Sequence, residues 1–314
     1  MSIVFGPIPS RRLGRSLGIN NIPPKVCSYS CVYCQLGRTV SAQSQRRAFF
    51  KPKVIADDVR KKTKAIVRKE PIDYLTFVPD GEPTLDMNLG KTIELLKNLG
   101  IKIAVITNSS LIDQSDVRED LMKADLVSLK IDSLNEETWR RINQPSRGLR
   151  LSSILDGLVR FAEVYHGELI TETMLIKGIN DFGEHVKKTA DFVAGLKPAK
   201  SYLSIPTRPP AEKWVQPPGE KVINQAYQIF SQRIDNVEYL IGYEGNAFSS
   251  SGNVEEDMLS IMAVHPMRED AVHEFLTRSK AGWEIIHRLI AQGRLIKLAY
   301  EGKKFYMLKL PGRR

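Results

Sequence analysis

All three cysteines of this 314-residue chain lie in one stretch, Cys27-Ser28-Tyr29-Ser30-Cys31-Val32-Tyr33-Cys34. Three residues separate the first two cysteines, and two residues separate the second from the third. Thiolates are soft ligands that favour iron–sulfur clusters, zinc or copper(I), and this spacing lets all three face one metal centre. A closed zinc or cubane site needs four protein ligands, so the motif leaves one position for another group.

Two other interpretations of the cysteine stretch stay open. The cysteines could be buried or disulfide-bonded, although an odd number within eight residues fits a disulfide framework badly. A zinc site could instead be completed by a distant histidine, of which the chain has five.

Free thiols without a readable export signal favour a reducing compartment, so we expect a cytoplasmic protein. No apolar run approaches the length of a membrane span, so no membrane partner is expected.

The spacing Cys-x3-Cys-x2-Cys, with Tyr33 before the last cysteine, resembles the signature of the radical S-adenosylmethionine (SAM) enzymes. The resemblance implies that Cys27, Cys31 and Cys34 hold three irons of a 4Fe–4S cluster, whose fourth iron binds SAM. Tyr33 would then lie against the adenine. It also implies an external one-electron donor of the flavodoxin or ferredoxin type. Reductive cleavage of SAM would give a 5′-deoxyadenosyl radical that abstracts hydrogen from the substrate.

A second motif, Asp80-Gly81-Glu82-Pro83, follows the predicted strand at residues 74–78. It resembles the Gly-Gly-Glu motif of the same superfamily, which receives the amino group of SAM. Carbonyl and carboxylate oxygens accept the protons of a cationic amine, and glycine permits close approach. Asp80 stands where the superfamily has its first glycine, which leaves the shape of the turn open. Without its neighbours, the tetrapeptide would be an ordinary turn.

Strand and helix patterns alternate along the chain, which predicts a parallel sheet with crossover helices. About six strand–helix units precede residue 243, which is too few for a closed eight-fold barrel. We expect the α/β class: a partial (βα)6 barrel of the radical SAM type, followed by a small winged-helix-like C-terminal domain. The expected bounds are 1–243 for the barrel, 244–253 for a linker and 254–314 for the second domain.

Polar residues at the ends of the predicted strands are candidates for the site, because parallel barrels gather their chemistry there. Asn108 ends the third strand, Lys130 and Asp132 share one face of the fourth, and Glu172 lies in the fifth. The resemblance implies that such groups contact SAM or the substrate, with Lys130 and Glu172 as candidate catalytic residues. The alternative is a satisfied ion pair, for example of Lys130 with Asp132 or Glu172.

The formal net charge is +10, and nine basic residues precede the first acidic one, Asp57. Such a field attracts polyanions or phosphorylated substrates, although basic side chains can also be simply solvated. Within this segment, Arg11 and Arg12 form a candidate substrate clamp, because guanidinium forks bind carboxylate or phosphate groups in a bidentate manner.

The C-terminal segment is predicted to form three helices and a hairpin, and its winged-helix-like pattern is one that can contact nucleic acid. From Glu255 onward it has 11 basic and 8 acidic residues. Four of the basic residues lie on or after the wing: Lys303, Lys304, Arg313 and Arg314. A protein-interaction domain is the alternative for this modest positive charge.

Among radical SAM enzymes, the barrel is most similar to the tRNA wyosine-base synthases. Those enzymes carry a second cluster on three further cysteines, which this chain lacks. Three functions stay open. The first is RNA (tRNA) modification, with RNA bound by the basic N-terminal segment and the wing. The second is maturation or activation of a protein or peptide held by the C-terminal domain. The third is a non-catalytic metal-binding regulator.

Overall fold

The structure is a computed structural model, and it describes residues 3–39, 41–66, 71–241, 248 and 253–309. The strands are β1 Val4–Ser10, β2 Gly14–Ile19, β3 Val26–Cys27, β4 Ser41–Ala42, β5 Tyr74–Phe77, β6 Lys102–Thr107, β7 Leu126–Lys130, β8 Glu168–Met174, β9 Lys200–Ser204, β10 Val237–Leu240, β11 Met267–Arg268, β12 Leu295–Tyr300 and β13 Lys303–Leu308. The helices are α1 Pro52–Ile66, α2 Leu89–Lys97, α3 Ser115–Leu121, α4 Glu136–Asn143, α5 Leu151–Val164, α6 Gly183–Gly195, α7 Glu220–Ser231, α8 Val254–Val264, α9 Glu269–Arg278 and α10 Glu284–Ala291.

The main sheet has eight strands in the order β1-β2-β5-β6-β7-β8-β9-β10. Only β1 pairs antiparallel, with β2, and all the other neighbours in this sheet run parallel. Every connection between successive parallel strands contains at least one helix. The six strand–helix units confirm the expected α/β half-barrel, to which β10 adds a final strand.

Side chains of the parallel strands alternate between two environments, as the pleat requires. Leu75, Val105 and Leu129 belong to the main hydrophobic core that the sheet shares with its helices. On the other face, even-numbered residues such as Lys130 and Glu172 point into the half-barrel and line its cavity. Polar residues in these otherwise apolar strands therefore mark the inside of the barrel.

The β1–β2 hairpin closes the inner end of the half-barrel. Its turn carries Leu13, which is buried against Ala104, Leu126, Ile170 and Tyr202 from four different parallel strands. This apolar layer seals the barrel at the amino ends of the strands and leaves the opposite end open. The cavity therefore opens where the cysteine loop lies.

The C-terminal module contains α8 to α10 and a three-stranded antiparallel sheet in the order β11-β13-β12. It has its own hydrophobic core, and it confirms the expected three helices and hairpin while adding β11. The expected linker at 244–253 lies outside the described residues except for Phe248 and Asn253. No helix within the described ranges is long and apolar enough to cross a membrane.

Candidate active site in the barrel

The three cysteines line one side of the barrel cavity. Cys27 ends β3, and the other two lie in the following loop, where the Cys34 amide donates to the Cys31 carbonyl at 3.0 Å. All three are partly exposed free thiols, so the disulfide alternative is not supported. The cavity has a volume of about 330 Å³ and lies at the carboxyl ends of the parallel strands.

A single zinc ion is the other metal that the cysteine spacing allows. No three histidine, cysteine, aspartate or glutamate side chains in the described part of the chain are grouped closely enough to hold one ion. Ligands around a single zinc lie within about 4 Å of each other, given its short bonds. Three thiols without a fourth cysteine also suit a larger centre that distributes its ligands over several metals.

Buried Lys25 ties the cysteine loop to the Asp80–Pro83 turn. Its amide donates to the Asp80 carbonyl at 2.7 Å, and its ammonium lies 3.5 Å from the Asp80 carboxylate. The same ammonium donates to the carbonyls of Leu36 and Gly37 at the far end of the loop. Asp80 thus neutralises the charge of Lys25. This ion pair explains why position 80 is an aspartate where the superfamily has glycine. Its side chain is not among those that line the cavity.

Gly81 is required by the close approach of the cysteine loop. A methyl group on Gly81 would lie 1.9 Å from the Val26 carbonyl oxygen, which is far inside contact distance. That carbonyl accepts from the next amide, Glu82, at 3.0 Å. The turn and the cysteine loop are thereby held in backbone contact, and any side chain at position 81 would push them apart. Pro83 is buried outside the cavity wall.

The carboxylate of Glu82 accepts four hydrogen bonds inside the protein. Thr84 donates from its amide at 3.1 Å and from its hydroxyl at 2.6 Å. Thr107 donates its hydroxyl at 2.6 Å, and Asn108 donates its amide at 2.7 Å. Burial raises the pKa of Glu82 although these hydrogen bonds oppose the shift. Three of these hydrogen bonds fall on Oε1 and one on Oε2, so Glu82 fixes the end of β6 beside the cysteines and Oε2 keeps an acceptor position.

Two asparagine side chains donate hydrogen bonds to the thiols. The Nδ2 of Asn108 lies 3.6 Å from the Sγ of Cys27, and the Nδ2 of Asn143 lies 3.4 Å from the Sγ of Cys31. Burial raises the pKa of Cys31 to about 12, although its hydrogen bond from Asn143 lowers it, and burial likewise raises the pKa of Cys27. The raised pKa values of these two thiols favour their protonated forms until a metal displaces the protons.

Asp132 lies behind the cavity wall, where it orients Tyr33. The Tyr33 hydroxyl donates to the Asp132 carboxylate at 2.5 Å, and Asn143 donates to the same oxygen at 2.9 Å. The other carboxylate oxygen accepts from the Met174 amide at 2.9 Å. The ring of Tyr33 faces the cavity with the ammonium of Lys130 5.1 Å from its centroid. Asp132 therefore positions the aromatic ring from outside the lining.

Glu172 is the centre of a polar cluster at the inner end of the cavity. Lys130 donates to it at 2.6 Å, the Ser204 hydroxyl donates at 2.9 Å, and Arg12 donates to its second oxygen. Burial alone would raise the pKa of Glu172, but Lys130 and Arg12 lower it to about 2. Lys130 also lies 3.8 Å from the Asp132 carboxylate, so both ion pairs considered from the sequence are present.

The C-terminal module contacts the residue that follows the last cysteine. Gln35 donates its amide to the Val264 carbonyl of α8 at 3.1 Å, and it accepts from Arg208 at 2.9 Å. Arg208 also lies 3.1 Å from Nε2 of buried His265. Burial, and then the charge of Arg208, lowers the pKa of His265 well below its usual value, so the imidazole is neutral here. The module thereby supports one wall of the cavity.

The structure brings most of the predicted site residues to one cavity and leaves three outside its wall. The residues that line it are Arg11, Arg12, Cys27, Cys31, Tyr33, Cys34, Gly81, Glu82, Asn108, Lys130 and Glu172. Asp80, Pro83 and Asp132 do not line it. Sequence reasoning missed Lys25, Gln35, Asn143, Ser204 and Arg208. Asn143 follows Arg141-Ile142 at the end of a helix, where no spacing rule marks a functional side chain.

The donor set fits an iron–sulfur cluster with SAM. Three thiols face one cavity without a fourth cysteine. The Asp80–Pro83 turn lies beside them and has no room for a side chain at Gly81. Apolar side chains, including Leu36 and Ile205, share the wall with the aromatic ring of Tyr33. Such a surface suits an adenosyl group, because ligand sites are largely apolar with a few placed polar groups.

Comparisons with known proteins agree with this geometry. A family model described as the Radical SAM superfamily matches residues 21–193. The UPF0026 protein of Methanocaldococcus jannaschii is 50% identical over 315 residues, which cover 100% of this chain and 98% of that protein. A protein of Pseudothermotoga lettingae described as a probable dual-specificity RNA methyltransferase is 25% identical over 181 residues, which cover 54% of this chain and 50% of that protein.

Solved structures show the same fold. TYW1 with a lysine-pyruvate adduct bound superposes with a TM-score of 0.54 and 17% identity, covering 70% of this chain and 74% of that one. At this level of identity the likeness concerns the fold alone. It confirms the half-barrel expected from the sequence.

Proposed function

The chain belongs to the radical SAM superfamily and to the UPF0026 family. From this membership we propose that its cavity binds a 4Fe–4S cluster and SAM, and that the enzyme abstracts a hydrogen atom from RNA. As a radical SAM enzyme it depends on an external one-electron donor. The observation that carries the proposal is the joint lining of one cavity by three free thiols, the Gly81 turn and Tyr33. When bound, the cluster and SAM together supply one-electron reductive cleavage of SAM and a radical able to take a hydrogen atom.

The protein's own residues bind and orient the reacting groups in this proposal. Cys27, Cys31 and Cys34 hold the cluster, as the sequence resemblance implies. The Asp80–Pro83 turn meets the amine of SAM, as the sequence resemblance implies, and Oε2 of Glu82, which accepts one hydrogen bond from the Asn108 amide, keeps an acceptor position for it. Tyr33 lies against the adenine, held by Asp132 from behind.

The remaining polar groups of the wall contact the rest of SAM or the substrate. Asn108 lies beside Cys27, and Lys130 and Glu172 lie deeper in the barrel. The raised pKa of Lys130, which its carboxylate partners produce against the effect of burial, keeps its ammonium charged. Lys130 therefore serves as a fixed cation in this scheme, and the apolar wall and the Leu13 layer exclude water from the reaction.

Reconstituted protein tests the chemical part of the proposal. We expect anaerobic protein supplied with iron, sulfide, SAM and dithionite to form methionine and 5′-deoxyadenosine in equal amounts, measured by chromatography with mass detection. Absence of 5′-deoxyadenosine from protein with a full complement of iron would contradict the enzyme proposal and favour a metal-binding regulator.

Charge and one relative support RNA as the substrate class. The chain carries a net charge of +10, and Arg47, Lys51 and Lys53 of the N-terminal segment are exposed. The relative described as a probable RNA methyltransferase is consistent with this class. Other cations of the basic segment are already engaged within the protein: Lys25 is buried, and Arg46 is paired with acidic side chains of α3.

Several cations of the C-terminal module are paired with acidic side chains. Lys304 on the wing pairs with Glu269 at 2.9 Å, and Arg288 and Arg294 both pair with Glu255 at 2.7 Å. Arg313 and Arg314 lie outside the described residues. We therefore assign the RNA contacts of this proposal to the barrel segment, and we propose that the module, divided from the barrel at 244–253, supports the cavity wall.

Binding of tRNA should depend on Lys51 and Lys53 more than on the wing. Replacing both lysines with glutamine is expected to weaken binding about three- to tenfold and to reduce the slope of log K against log salt by about one for each phosphate that is no longer neutralised. The control is Lys304→Gln, which removes a compensated cation and should change neither quantity. Equal effects of the two changes, or a flat salt dependence for the unmodified protein, would contradict the assignment and favour a protein or peptide substrate.

Asn143 should retain the cluster through its contact with Cys31. We expect Asn143→Ala to lower affinity for the cluster about tenfold, as for other partners that orient metal ligands, and to speed loss of iron to a chelator. Asn135→Ala is a matched control on the same helix, because it removes an N-cap that accepts from the Thr138 amide at 2.9 Å and costs about 1 kcal/mol. Equal rates of iron loss from both variants would contradict a role of Asn143 in retaining the cluster and would show that its side chain contributes only to folding.

A further inference from the structure

A small apolar layer lies on the side of the cysteine loop that faces away from the cavity. Val32, between the second and third cysteines, is fully buried and packs in this layer with Ile142, Ile176 and Val215. Val32 does not line the cavity, whereas the residues on either side of it do. The layer therefore separates the cysteine loop from the outer surface of the protein.

Two segments of the chain hold the outer side of the cysteine loop. The Val32 amide donates to the Ile142 carbonyl of α4 at 2.9 Å, and the Val32 carbonyl accepts from the Glu212 amide at 3.0 Å. The chain after Ile142 continues alongside the loop, because the Ser146 amide donates to the Ser28 carbonyl at 2.8 Å. A molecule bound against the outer face of these segments is separated from the cysteine loop by a single layer of protein.

The same two segments carry exposed cations and an exposed tryptophan. Residues 140–150 contain no acid and four exposed arginines, which are Arg140, Arg141, Arg147 and Arg150. The second segment adds Lys213 and Trp214, which are also exposed. The guanidinium of Arg141 lies 5.9 Å from the centroid of the Trp214 ring. We call these six residues the outer patch.

Most cations of the outer patch have no acidic partner within the described part of the chain. Arg140 pairs with Glu136, whereas no ion pair among the described residues involves the other four cations. Glu137 lies in the first turn of α4, and Glu212 is paired with Arg38, whose Nη2 donates to it at 2.8 Å. The outer patch therefore presents a positive surface, and its arginines and tryptophan are of the types that protein interfaces favour.

We propose that the outer patch docks an acidic one-electron carrier protein that reduces the cluster. This inference rests on the proposed function, which depends on such a donor. In the encounter the reduced carrier loses one electron, which the cluster accepts through the cysteine loop, and no atom or proton is transferred. Complementary charge steers the two proteins together, and redox complexes of this kind use small interfaces.

The position of the outer patch favours an electron carrier over RNA. None of its six residues lines the cavity, whereas a nucleotide that gives up a hydrogen atom has to enter there. A carrier has a different requirement, because it must approach the cluster closely and leave the cavity open to SAM and substrate. The outer side of the cysteine loop satisfies both conditions.

Binding of an oxidised, acidic flavodoxin to the reconstituted full chain tests the inference without turnover. Calorimetry at low and high salt gives the dissociation constant, and a basic c-type cytochrome is the control protein. We expect Arg147→Glu with Lys213→Glu to weaken flavodoxin binding at least about tenfold, and Trp214→Ala to weaken it about tenfold. Lys61→Glu with Lys91→Glu makes the same change of charge at exposed positions of α1 and α2. This control should change binding less than about twofold, because distant surface charges are screened.

Each outcome decides the inference. Flavodoxin binding that weakens with salt and in both patch variants supports the docking surface. Absence of binding to the unmodified protein, equal binding of the cytochrome, or equal losses in the patch and control variants would overturn it. A loss of tRNA binding in the patch variants as large as their loss of flavodoxin binding would identify an RNA surface instead. Circular dichroism checks folding, and Trp214→Ala keeps every charge, so it tests the surface even where charge reversal disturbs the fold.

A second measurement separates this inference from the proposed reaction. Formation of 5′-deoxyadenosine is measured with reduced flavodoxin and, separately, with dithionite. The patch variants should lower the ratio of the two rates about tenfold, in line with their loss of binding. An unchanged ratio would contradict the docking surface. Absence of product with dithionite would contradict the proposed reaction and leave the binding result unaffected.

Discussion

Cys31→Ser is expected to lower 5′-deoxyadenosine formation at least about 100-fold, which exceeds the usual effect of losing a group that only orients a metal ligand. Serine is a poor ligand for soft iron centres, and this chain has no fourth cysteine to take the place of the lost one. The measurement is product formed per protein under reducing, anaerobic conditions, together with the iron content. Both quantities should fall together.

The control for this change lies in the same loop. Ser30 accepts a hydrogen bond from the Thr39 amide at 3.1 Å and does not line the cavity. Ser30→Ala should therefore keep most of the iron and most of the product. If Cys31→Ser retained activity within about tenfold of the unmodified protein, the assignment of Cys31 as a cluster ligand would be wrong.

Glu172→Gln is expected to lower the free energy of unfolding by roughly 3–5 kcal/mol at neutral pH, because it leaves the buried cations Arg12 and Lys130 without their shared carboxylate. The measurement is chemical unfolding of the full chain followed by circular dichroism. The control is Glu168→Gln, which removes the same charge at the exposed start of β8. This control should change stability by no more than about 0.5 kcal/mol.

The same pair gives a defined pH dependence. The pKa of Glu172 is lowered to about 2 in the folded protein, from about 4.3 for an unperturbed glutamate. A lowered pKa stabilises the folded state above the unfolded value, and this contribution is lost as the pH falls through the folded value. The stability difference between unmodified protein and Glu172→Gln should therefore shrink between about pH 4.3 and about pH 2. A difference that stayed constant over this range would show that the ion pairs contribute nothing.

The sequence predicted the half-barrel and most of the cavity wall because both depend on local, periodic signals. Alternating strand and helix patterns located the six units. The two-residue period of strands put Lys130 and Asp132 on one face, and of these two Lys130 lines the cavity. The cysteine spacing required no structure to interpret. These signals lie within short stretches of sequence, so they can be recognised without knowledge of contacts between distant residues.

The missed features depend on contacts between distant parts of the chain. β1 was not predicted, because Gly6, Pro7 and Pro9 oppose a strand, yet an edge position with an irregular register between Phe5 and Ile8 accommodates them. Asn143 contacts Cys31 across 112 positions, and no local pattern marks it. Asp132 was expected in the wall, but its hydrogen bonds to Tyr33 place it behind.

The closing of the barrel by the β1–β2 hairpin also constrains how the chain folds during synthesis. Arg12 meets Glu172 across a separation of 160 positions. At a synthesis rate of about 5–20 residues per second, the hairpin leaves the ribosome roughly 8–30 s before its partner strand. During that interval the cysteine loop lacks its barrel and its thiols face solvent and oxidants. Insertion of iron and sulfide is therefore best delayed until β8 has been made, so assembly of the metal centre follows closure of the fold.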